Sequence, residues 1–198
     1  MRFGDLSIRF DDAVLEPRPW TLAQAEWAAD LAAALPDGPA LELCAGAGQI
    51  GLAFARLSGR SLVQVDANPR ACELARANAH AAGVEADVRC GDLHEAVQPD
   101  ERFTLILADP PYIPSAHLHR FARDPVLAID GGDDGLDVAR TCLALIARHL
   151  RRDGDAVLQL GGVHQHDALT GELGRCGLVA VEARRFAEDR SLVHLRHA

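Results

Sequence analysis

The sequence predicts an α/β fold whose core is a mostly parallel, seven-stranded sheet with an antiparallel hairpin at its carboxyl end. Three observations predict it. From residue 36 onward, short apolar segments alternate with segments of helical periodicity, a glycine-rich loop follows the first apolar segment, and the last two apolar segments have no helix between them. Strands that alternate with helices form parallel sheets covered on both faces, whereas two consecutive strands form a hairpin.

The individual elements follow from local signals along the chain. Residues 1–20 are predicted to be irregular or to form short strands. Thr21 is a suitable N-cap for the first helix, which ends before Pro36, and Pro69 and Gly83 delimit a later helix. The predicted strands are 40–44, 61–66, 86–90, 103–108, 155–161, 178–186 and 191–197, and the predicted helices are 22–35, 50–57, 69–82, 136–150 and 165–175.

Composition predicts one globular domain, 1–198, with an irregular segment and a helix over 1–35 and the α/β core over 36–198. No apolar run reaches the roughly 20 residues that span a bilayer, and the amino terminus lacks the apolar core of a signal peptide, so a cytoplasmic protein is expected. The five cysteines are odd in number and form no C-x-x-C pair, which argues against a disulfide framework. The two H-x-H pairs, at 117–119 and 164–166, have no third ligand nearby in sequence, so no metal site is predicted.

The charge balance disfavours long duplex nucleic acid as a partner. The chain has 29 acidic and 20 basic residues, a net charge of −9, and all of its basic residues are arginine. Proteins that bind many phosphates present a basic surface. No basic cluster longer than two adjacent arginines occurs here.

A glycine-rich loop and an acid beyond it predict an adenosine ligand. Gly46, Gly48 and Gly51 form a G-x-G-x-x-G pattern between a predicted strand and helix, where backbone amides are free to contact a ligand. Asp66 ends the next strand, at the position where a carboxylate accepts ribose hydroxyls. The pattern leaves open whether the ligand is a nicotinamide dinucleotide or S-adenosylmethionine.

Two further acids fall near the same predicted sheet edge. Glu42 lies near the carboxyl end of the first strand, where it could face the cationic methionine portion of S-adenosylmethionine, and Asp92 follows the third strand, where it could accept from an adenine amine. The alternative for Asp66 and Asp92 is that each caps the helix after it.

The segment Asp109-Pro110-Pro111-Tyr112 follows the apolar strand 103–108 and predicts a site for a nitrogen nucleophile. Proline cannot donate to a strand ladder, so the pair ends the strand and fixes the loop. The Asp109 side chain and the Pro110 carbonyl could each accept one N–H of a substrate nitrogen, and Tyr112 could stack on a planar group. The alternative is a strand-ending turn with a core tyrosine.

With these residues placed, the chain resembles the class I S-adenosylmethionine-dependent methyltransferases, and within them the HemK/PrmC family, from about residue 16 to the end. "LELCAGAG", "VDANPRACELARANA" and "GDLHEA" are similar to three motifs of the superfamily. "DPPYIPS" resembles the family signature NPPYIPS, and "EPRPWT" and residues 124–140 resemble its flanking segments. The resemblance implies a Rossmann-like fold and S-adenosylmethionine as the cofactor.

The resemblance also implies roles for individual residues and a substrate. The implied activity is N-methylation of a planar amide or amine, with glutamine of a release factor as the default substrate. Asp109 stands where the family signature has asparagine, and Cys44 stands where a glycine is usual. The implied catalytic residues are Asp109, Pro110, Pro111 and Tyr112, and the implied cofactor-binding residues are Glu42, Cys44, Ala45, Gly46, Gly48, Asp66, Ala67, Asp92, Leu93 and Asp109.

Other functions stay open at this point. Aspartate in the signature also suits an exocyclic amine of a nucleobase or of a small metabolite. The helical amino-terminal domain of the bacterial release-factor enzymes is not matched in this sequence, which raises an activating partner subunit as a further expectation. A nicotinamide-dependent oxidoreductase would leave residues 109–112 without a role, and a chain without lysine cannot form a Tyr-x-x-x-Lys pair. A non-catalytic binding subunit would not need these residues at all.

Overall fold

Nine strands, seven α-helices and two 3-10 helices, at Pro19–Thr21 and Ser115–Phe121, make up the chain in a computed structural model that describes all 198 residues. The strands are β1 (Arg2–Phe3), β2 (Leu6–Ser7), β3 (Ala40–Leu43), β4 (Leu62–Asp66), β5 (Ala86–Cys90), β6 (Phe103–Ala108), β7 (Leu150–Leu160), β8 (Leu178–Ala187) and β9 (Arg190–His197). The helices are α1 (Leu22–Ala32), α2 (Gln49–Ser58), α3 (Pro69–Ala82), α4 (Leu93–Ala96), α5 (Val126–Ile129), α6 (Asp137–His149) and α7 (Val163–Arg175).

Seven of the strands form one sheet in the order β5-β4-β3-β6-β7-β9-β8. Strands β3 to β7 are parallel, β9 is antiparallel to β7, and β8 pairs antiparallel with β9. The predicted fold class, a mostly parallel seven-stranded sheet in which the last two strands of the chain form an antiparallel hairpin, is therefore confirmed. Strands β1 and β2 form a separate small hairpin.

The strand order reverses between β3 and β6. From β3 the chain proceeds outward to β4 and β5, and then returns to place β6 on the other side of β3. In open α/β sheets, ligands bind in the crevice at the carboxyl ends of the strands where the order reverses. This topology predicts a ligand site among the loops that follow β3, β4 and β6.

Both faces of the sheet are covered, which accounts for the apolar character of the central strands. In β6, Leu105 and Leu107 belong to one apolar cluster with helices α1, α2 and α3, whereas Ile106 and Ala108 belong to a second cluster with α6 and α7. All six residues of β6 are buried. A strand buried on both faces loses the alternation of polar and apolar residues, and only its length and its proline boundary mark it in the sequence.

The structure differs from the sequence expectation in several places, among them strand β7 and the connection after Tyr112. Strand β7 begins at Leu150, directly after α6, and its register against β6 is irregular between Phe103 and Leu105. The connection after Tyr112 contains a 3-10 helix at Ser115–Phe121 and the short α5, neither of which was predicted. None of the helices is long and apolar enough to cross a membrane.

Candidate active site

A cleft of about 850 Å³, including its open mouth, lies at the carboxyl ends of β3, β4 and β6. Seven residues expected from the sequence to bind the cofactor line it: Cys44, Ala45, Gly46, Asp66, Ala67, Leu93 and Asp109. Other residues that line it were assigned no role from the sequence, although the last three of these lie within the motifs: Val14, Leu15, Gln49, Asn68 and Ala71. We call this the first cavity.

The glycine loop presents its backbone to the first cavity. Gly46 and Gly48 have φ values of 55° and 84°, in the left-handed region that favours glycine. A Cβ atom at Gly46 would meet no other atom within 4 Å, so a ligand can contact this backbone closely. Gly48 is the N-cap of α2 and packs against the side chain of Gln64, and it does not line the cavity.

Asp66 supports the loop and also faces the first cavity. Its Oδ2 accepts a hydrogen bond of 2.7 Å from the Gly46 N–H, and its Oδ1 accepts one of 2.8 Å from the Asn68 N–H. Burial raises the pKa of this carboxyl above its ordinary value, although the two N–H groups oppose the shift. Each carboxylate oxygen can accept a second hydrogen bond, so the side chain remains able to take ribose hydroxyls.

Glu42 does not reach the first cavity, contrary to the expectation that it faces the ligand. It is 2% exposed and lies beneath the loop. Its Oε1 accepts from the Gly51 N–H at 2.9 Å and its Oε2 from the Gln64 side-chain amide at 2.6 Å. Because Gly51 has no side chain, the first turn of α2 can approach the carboxyl group, and a methyl group there would overlap it. Burial raises the pKa of Glu42 to about 8, despite these two hydrogen bonds.

Asp92 adopts the capping role that was the alternative for it. The residue is exposed, it is the N-cap of α4, and its Oδ1 accepts from the His94 N–H at 2.8 Å. It does not line the first cavity, whereas the next residue, Leu93, does. The structure thus presents an apolar wall at this place.

The residues of the first cavity suit an adenosine ligand with an attached amino acid. Gln49 lines this cavity, and its side-chain amide has no hydrogen-bond partner in the protein, so the amide is free to bond a polar group of the ligand. Asp66 offers acceptors for hydroxyls, Gly46 offers open backbone, and Leu93 offers an apolar surface. Gln49 is an x position of the G-x-G-x-x-G pattern, so the pattern itself assigns this side chain no role.

A second cavity of about 1130 Å³ adjoins the first. Leu15, Asp109, Pro111 and Ala128 line both cavities. The walls of the second come from the amino-terminal segment at Arg18–Thr21, the connection after β6, and the turn between β8 and β9. Arg18 closes one side through an ion pair with Asp124, in which its Nη2 lies 3.0 Å from each carboxylate oxygen.

Asp109 stands where the two cavities meet. No protein group donates a hydrogen bond to its carboxylate, and burial alone raises its pKa to about 7. Tyr112 lines the second cavity, and burial, assisted by the charge of Asp109, raises its pKa to about 12. Pro110 is buried and lines neither cavity, whereas Pro111 lines both.

Cys44 is the one non-glycine residue with a positive φ, at 59°. We expect Cys44→Gly to change the free energy of unfolding by less than about 1 kcal/mol, because relief of strain offsets the greater entropy of an unfolded glycine. Cys44→Val, of similar size but β-branched, should destabilise by about 2 kcal/mol. Urea unfolding of both variants measures these free energies. Equal stabilities of Cys44→Gly and Cys44→Val would show that the positive φ at residue 44 does not strain the backbone.

Together, a doubly wound sheet, a cleft for an adenosine ligand at the strand reversal and an adjoining second cavity at Asp109 define the fold and site of a class I methyltransferase. The chain belongs to the methyltransferase small domain family, whose model matches residues 28–127. The fold of a methyltransferase from Pyrococcus furiosus is similar, with a TM-score of 0.73 and 17% identity over 97% of this chain and 89% of that one.

Curated relatives are similar over most of this chain. A release factor glutamine methyltransferase of Gloeobacter violaceus is 35% identical over 79% of the chain, and one of Mycolicibacterium smegmatis is 38% identical over 79%. A ribosomal protein uL3 glutamine methyltransferase of Bordetella pertussis is 32% identical over 64% of the chain. The chain spans 57% of the length of the first two relatives and 45% of the third.

Proposed function

We propose that this chain is the catalytic domain of an S-adenosylmethionine-dependent N-methyltransferase that modifies a glutamine side chain of a protein. The observation that carries the proposal is Asp109, an unpartnered acceptor at the junction of a cofactor-sized cleft and a second cavity. Three relatives are named as glutamine methyltransferases of a release factor or of ribosomal protein uL3, and these names support glutamine as the target.

The first cavity would hold the cofactor. In this proposal Asp66 takes the ribose hydroxyls, the backbone of Gly46 lies against the nucleoside, Leu93 contacts the base, and the Gln49 amide bonds a polar group of the amino-acid portion. When bound, S-adenosylmethionine supplies an electrophilic methyl group. Transfer requires no metal, because the task of the protein is to aim a nitrogen lone pair at the methyl carbon in a site from which water is excluded.

Asp109 would orient and activate the nitrogen. The lone pair of an amide nitrogen is delocalised into the carbonyl group, and an acceptor on its N–H favours the pyramidal geometry that frees the lone pair. When the nitrogen takes the methyl group that the cofactor would supply, a carboxylate oxygen of Asp109 would accept the proton that the nitrogen releases. A pKa of about 7 suits this transient proton transfer near neutral pH.

The walls of the second cavity would hold the planar amide. Tyr112 and Trp20 line it, and the ring of either can lie against a planar group. Pro111 fixes the loop that carries Asp109 and Tyr112, so little ordering remains to be done on binding. The cytoplasmic location, the single domain and an activating partner subunit stay predictions.

A second candidate substrate is an exocyclic amine of a nucleobase or of a small metabolite. Asp109 favours it, because a carboxylate can stabilise the positive charge that develops on an amine. The net charge of −9 favours a small or partner-presented substrate over long duplex nucleic acid.

Transfer of labelled methyl groups distinguishes these candidates. The chain should be incubated with labelled S-adenosylmethionine and, separately, with release factor, ribosomal protein uL3, RNA, duplex DNA and a small-metabolite fraction. We expect label on a protein, at a glutamine identified by mass spectrometry, and no label with Asp109→Ala. Label confined to nucleic acid or to metabolites would replace glutamine with the second candidate, and no label on any pool would contradict the proposed activity.

A further inference from the structure

The side chain of Gln165 joins three segments of backbone, one of which carries Tyr112. It lies in the first turn of α7 and is only 2% exposed. Its Nε2 donates to the carbonyl oxygens of Tyr112, at 3.0 Å, and of Gly135, at 3.2 Å, while its Oε1 accepts from the Gly161 N–H at 2.6 Å. One buried amide therefore ties the loops that follow β6 and β7 to the loop that precedes α6.

Two glycines leave the space in which Tyr112 and Gln165 meet. A Cβ atom at Gly135 would lie 2.5 Å from the Tyr112 carbonyl oxygen and 2.7 Å from the Nε2 of Gln165. A Cβ atom at Gly161 would lie 2.9 Å from both the Oε1 of Gln165 and the Cδ2 of the Tyr112 ring. We call Gln165, Gly135 and Gly161 the Tyr112 socket, because together they lie against the carbonyl group and the ring of this residue.

Gln165 supplies a hydrogen bond that the backbone at Tyr112 otherwise lacks. The two residues before Tyr112 are prolines and have no N–H. No backbone N–H bonds to the Tyr112 carbonyl, and the next backbone bond along the chain runs from the Ile113 N–H to Ile129. The ring of Tyr112 lines the second cavity, so the bond from Gln165 fixes a residue on the wall of that cavity.

We propose that Gln165 is a positioning residue, which holds the ring of Tyr112 in the orientation that receives the planar group of the substrate. This inference rests on the proposed function, because the second cavity is the substrate site of that reaction. Gln165 lines neither cavity, so it acts through Tyr112. A displacement of about 1 Å can lower a rate about 10²-fold, so loss of the socket should impair transfer without touching a reacting atom.

Two substitutions remove the donor at residue 165. Gln165→Met removes both halves of the amide. Gln165→Glu keeps an acceptor for the Gly161 N–H but, when ionised, has no N–H for the two carbonyl oxygens. It serves as the second variant if methionine disturbs folding.

The matched control is Arg60→Met, near the amino ends of β3 and β4. Arg60 lines neither cavity. Like Gln165, it donates to several backbone carbonyl oxygens, those of Ala32, Leu35, Pro36 and Gly38. This control therefore reports the effect of lost stability alone.

The position of the ring can be measured without any substrate. Tyr112 is the one tyrosine of the chain, so incorporated fluorotyrosine reports this ring alone. In fluorine NMR spectra, both Gln165 variants should shift or broaden the signal, and Arg60→Met should leave it as in wild type. Melting temperatures show that each variant is folded at the temperature of the spectra.

Kinetics then test whether the effect passes through Tyr112. In methyl transfer to a protein substrate, kcat/KM should fall about 10- to 100-fold in both Gln165 variants. Their affinity for S-adenosylhomocysteine should change by less than about threefold, because Gln165 does not line the first cavity. In a Tyr112→Ala background, Gln165→Met should lower kcat/KM by less than about threefold further, since the ring that it positions is already absent.

The outcomes separate this inference from the proposed function. The role of Gln165 would be overturned, even if wild type labels glutamine, by a fluorine signal that is unchanged in both Gln165 variants or changes equally in Arg60→Met. A full further loss of kcat/KM in the Tyr112→Ala background would also overturn it. A signal that changes only in the Gln165 variants would support the role even if no protein is labelled, in which case the proposed protein substrate alone fails.

Discussion

Asp109→Ala is expected to lower the rate of methyl transfer about 10²- to 10³-fold, the effect of removing one preorganised polar group from an active site. The carboxylate has no partner in the protein and stands at the wall shared by the two cavities, so its hydrogen-bonding capacity is free for a substrate. S-adenosylhomocysteine lacks the sulfonium charge, and its affinity should change by less than about threefold.

The matched control is Asp153→Ala, the same chemical change at an exposed residue paired with Arg151. Rates are measured by transfer of labelled methyl groups and affinity by calorimetry. Unchanged turnover in Asp109→Ala would refute the mechanism. Equal losses of turnover and of S-adenosylhomocysteine affinity would instead assign Asp109 to the cofactor.

The pH dependence of turnover provides an independent check on Asp109. Burial raises its pKa to about 7, so the wild-type rate should rise as pH increases through about 7, where the carboxyl group becomes ionised and able to accept. Asp109→Asn cannot ionise, so its rate should not change over that range. A rise of the same size in this variant would assign the titration to another group.

The fold was predictable because its signals are local, whereas the site was predictable only in part. Apolar runs, proline boundaries and turn glycines predicted the strands that build the sheet, and the acid at the end of β4, Asp66, lines the first cavity as expected. Glu42 does not line the first cavity. The periodicity of a strand predicts the face on which a side chain lies, but not which neighbouring element covers that side chain. Here α2 covers the carboxyl group, because Gly51 has no side chain and lets the helix approach closely.

Gln159, which lines the second cavity, could not have been found in the same way. It lies 50 residues beyond Asp109 in an apolar strand, and only the pairing of β6 with β7 makes the two neighbours. Leu15 is a similar case, because the amino-terminal segment contributes it to both cavities although no motif marks it. Contacts of this kind depend on register and on loop packing, which no local pattern in the sequence specifies.

Glu42 should make the free energy of unfolding fall as pH rises. Its pKa of about 8 in the folded chain exceeds the ordinary value of about 4.3 in the unfolded chain, so the folded chain keeps a proton that the unfolded chain releases. This stabilisation is complete below pH of about 4 and is lost as pH rises to about 8. Between pH 5 and 8 the loss should be on the order of 3 kcal/mol.

Two substitutions separate the charge of Glu42 from its hydrogen bonds. In Glu42→Gln the amide oxygen keeps an acceptor for the Gly51 N–H. Its N–H faces the Gln64 Nε2, so the Gln64 amide has to turn over to present its Oε1, which has no partner in the wild type. This variant should lose most of the pH dependence and gain stability at about pH 8. Glu42→Ala leaves the Gly51 N–H unpaired beside a cavity and the Gln64 Nε2 with only the Gly48 carbonyl as acceptor, and should cost about 3–5 kcal/mol at every pH.

Urea unfolding at about pH 5, 6.5 and 8 measures these effects, with exposed Glu73→Gln as the control that should leave the curve parallel to wild type. Asp109 contributes a dependence of the same sign, with its pKa of about 7, so a residual slope is expected in Glu42→Gln. A slope as steep in Glu42→Gln as in wild type would mean that Glu42 is ionised in the folded chain. The glycine loop would then rest on a buried charge, and the affinity of the first cavity for a cationic cofactor would depend on it.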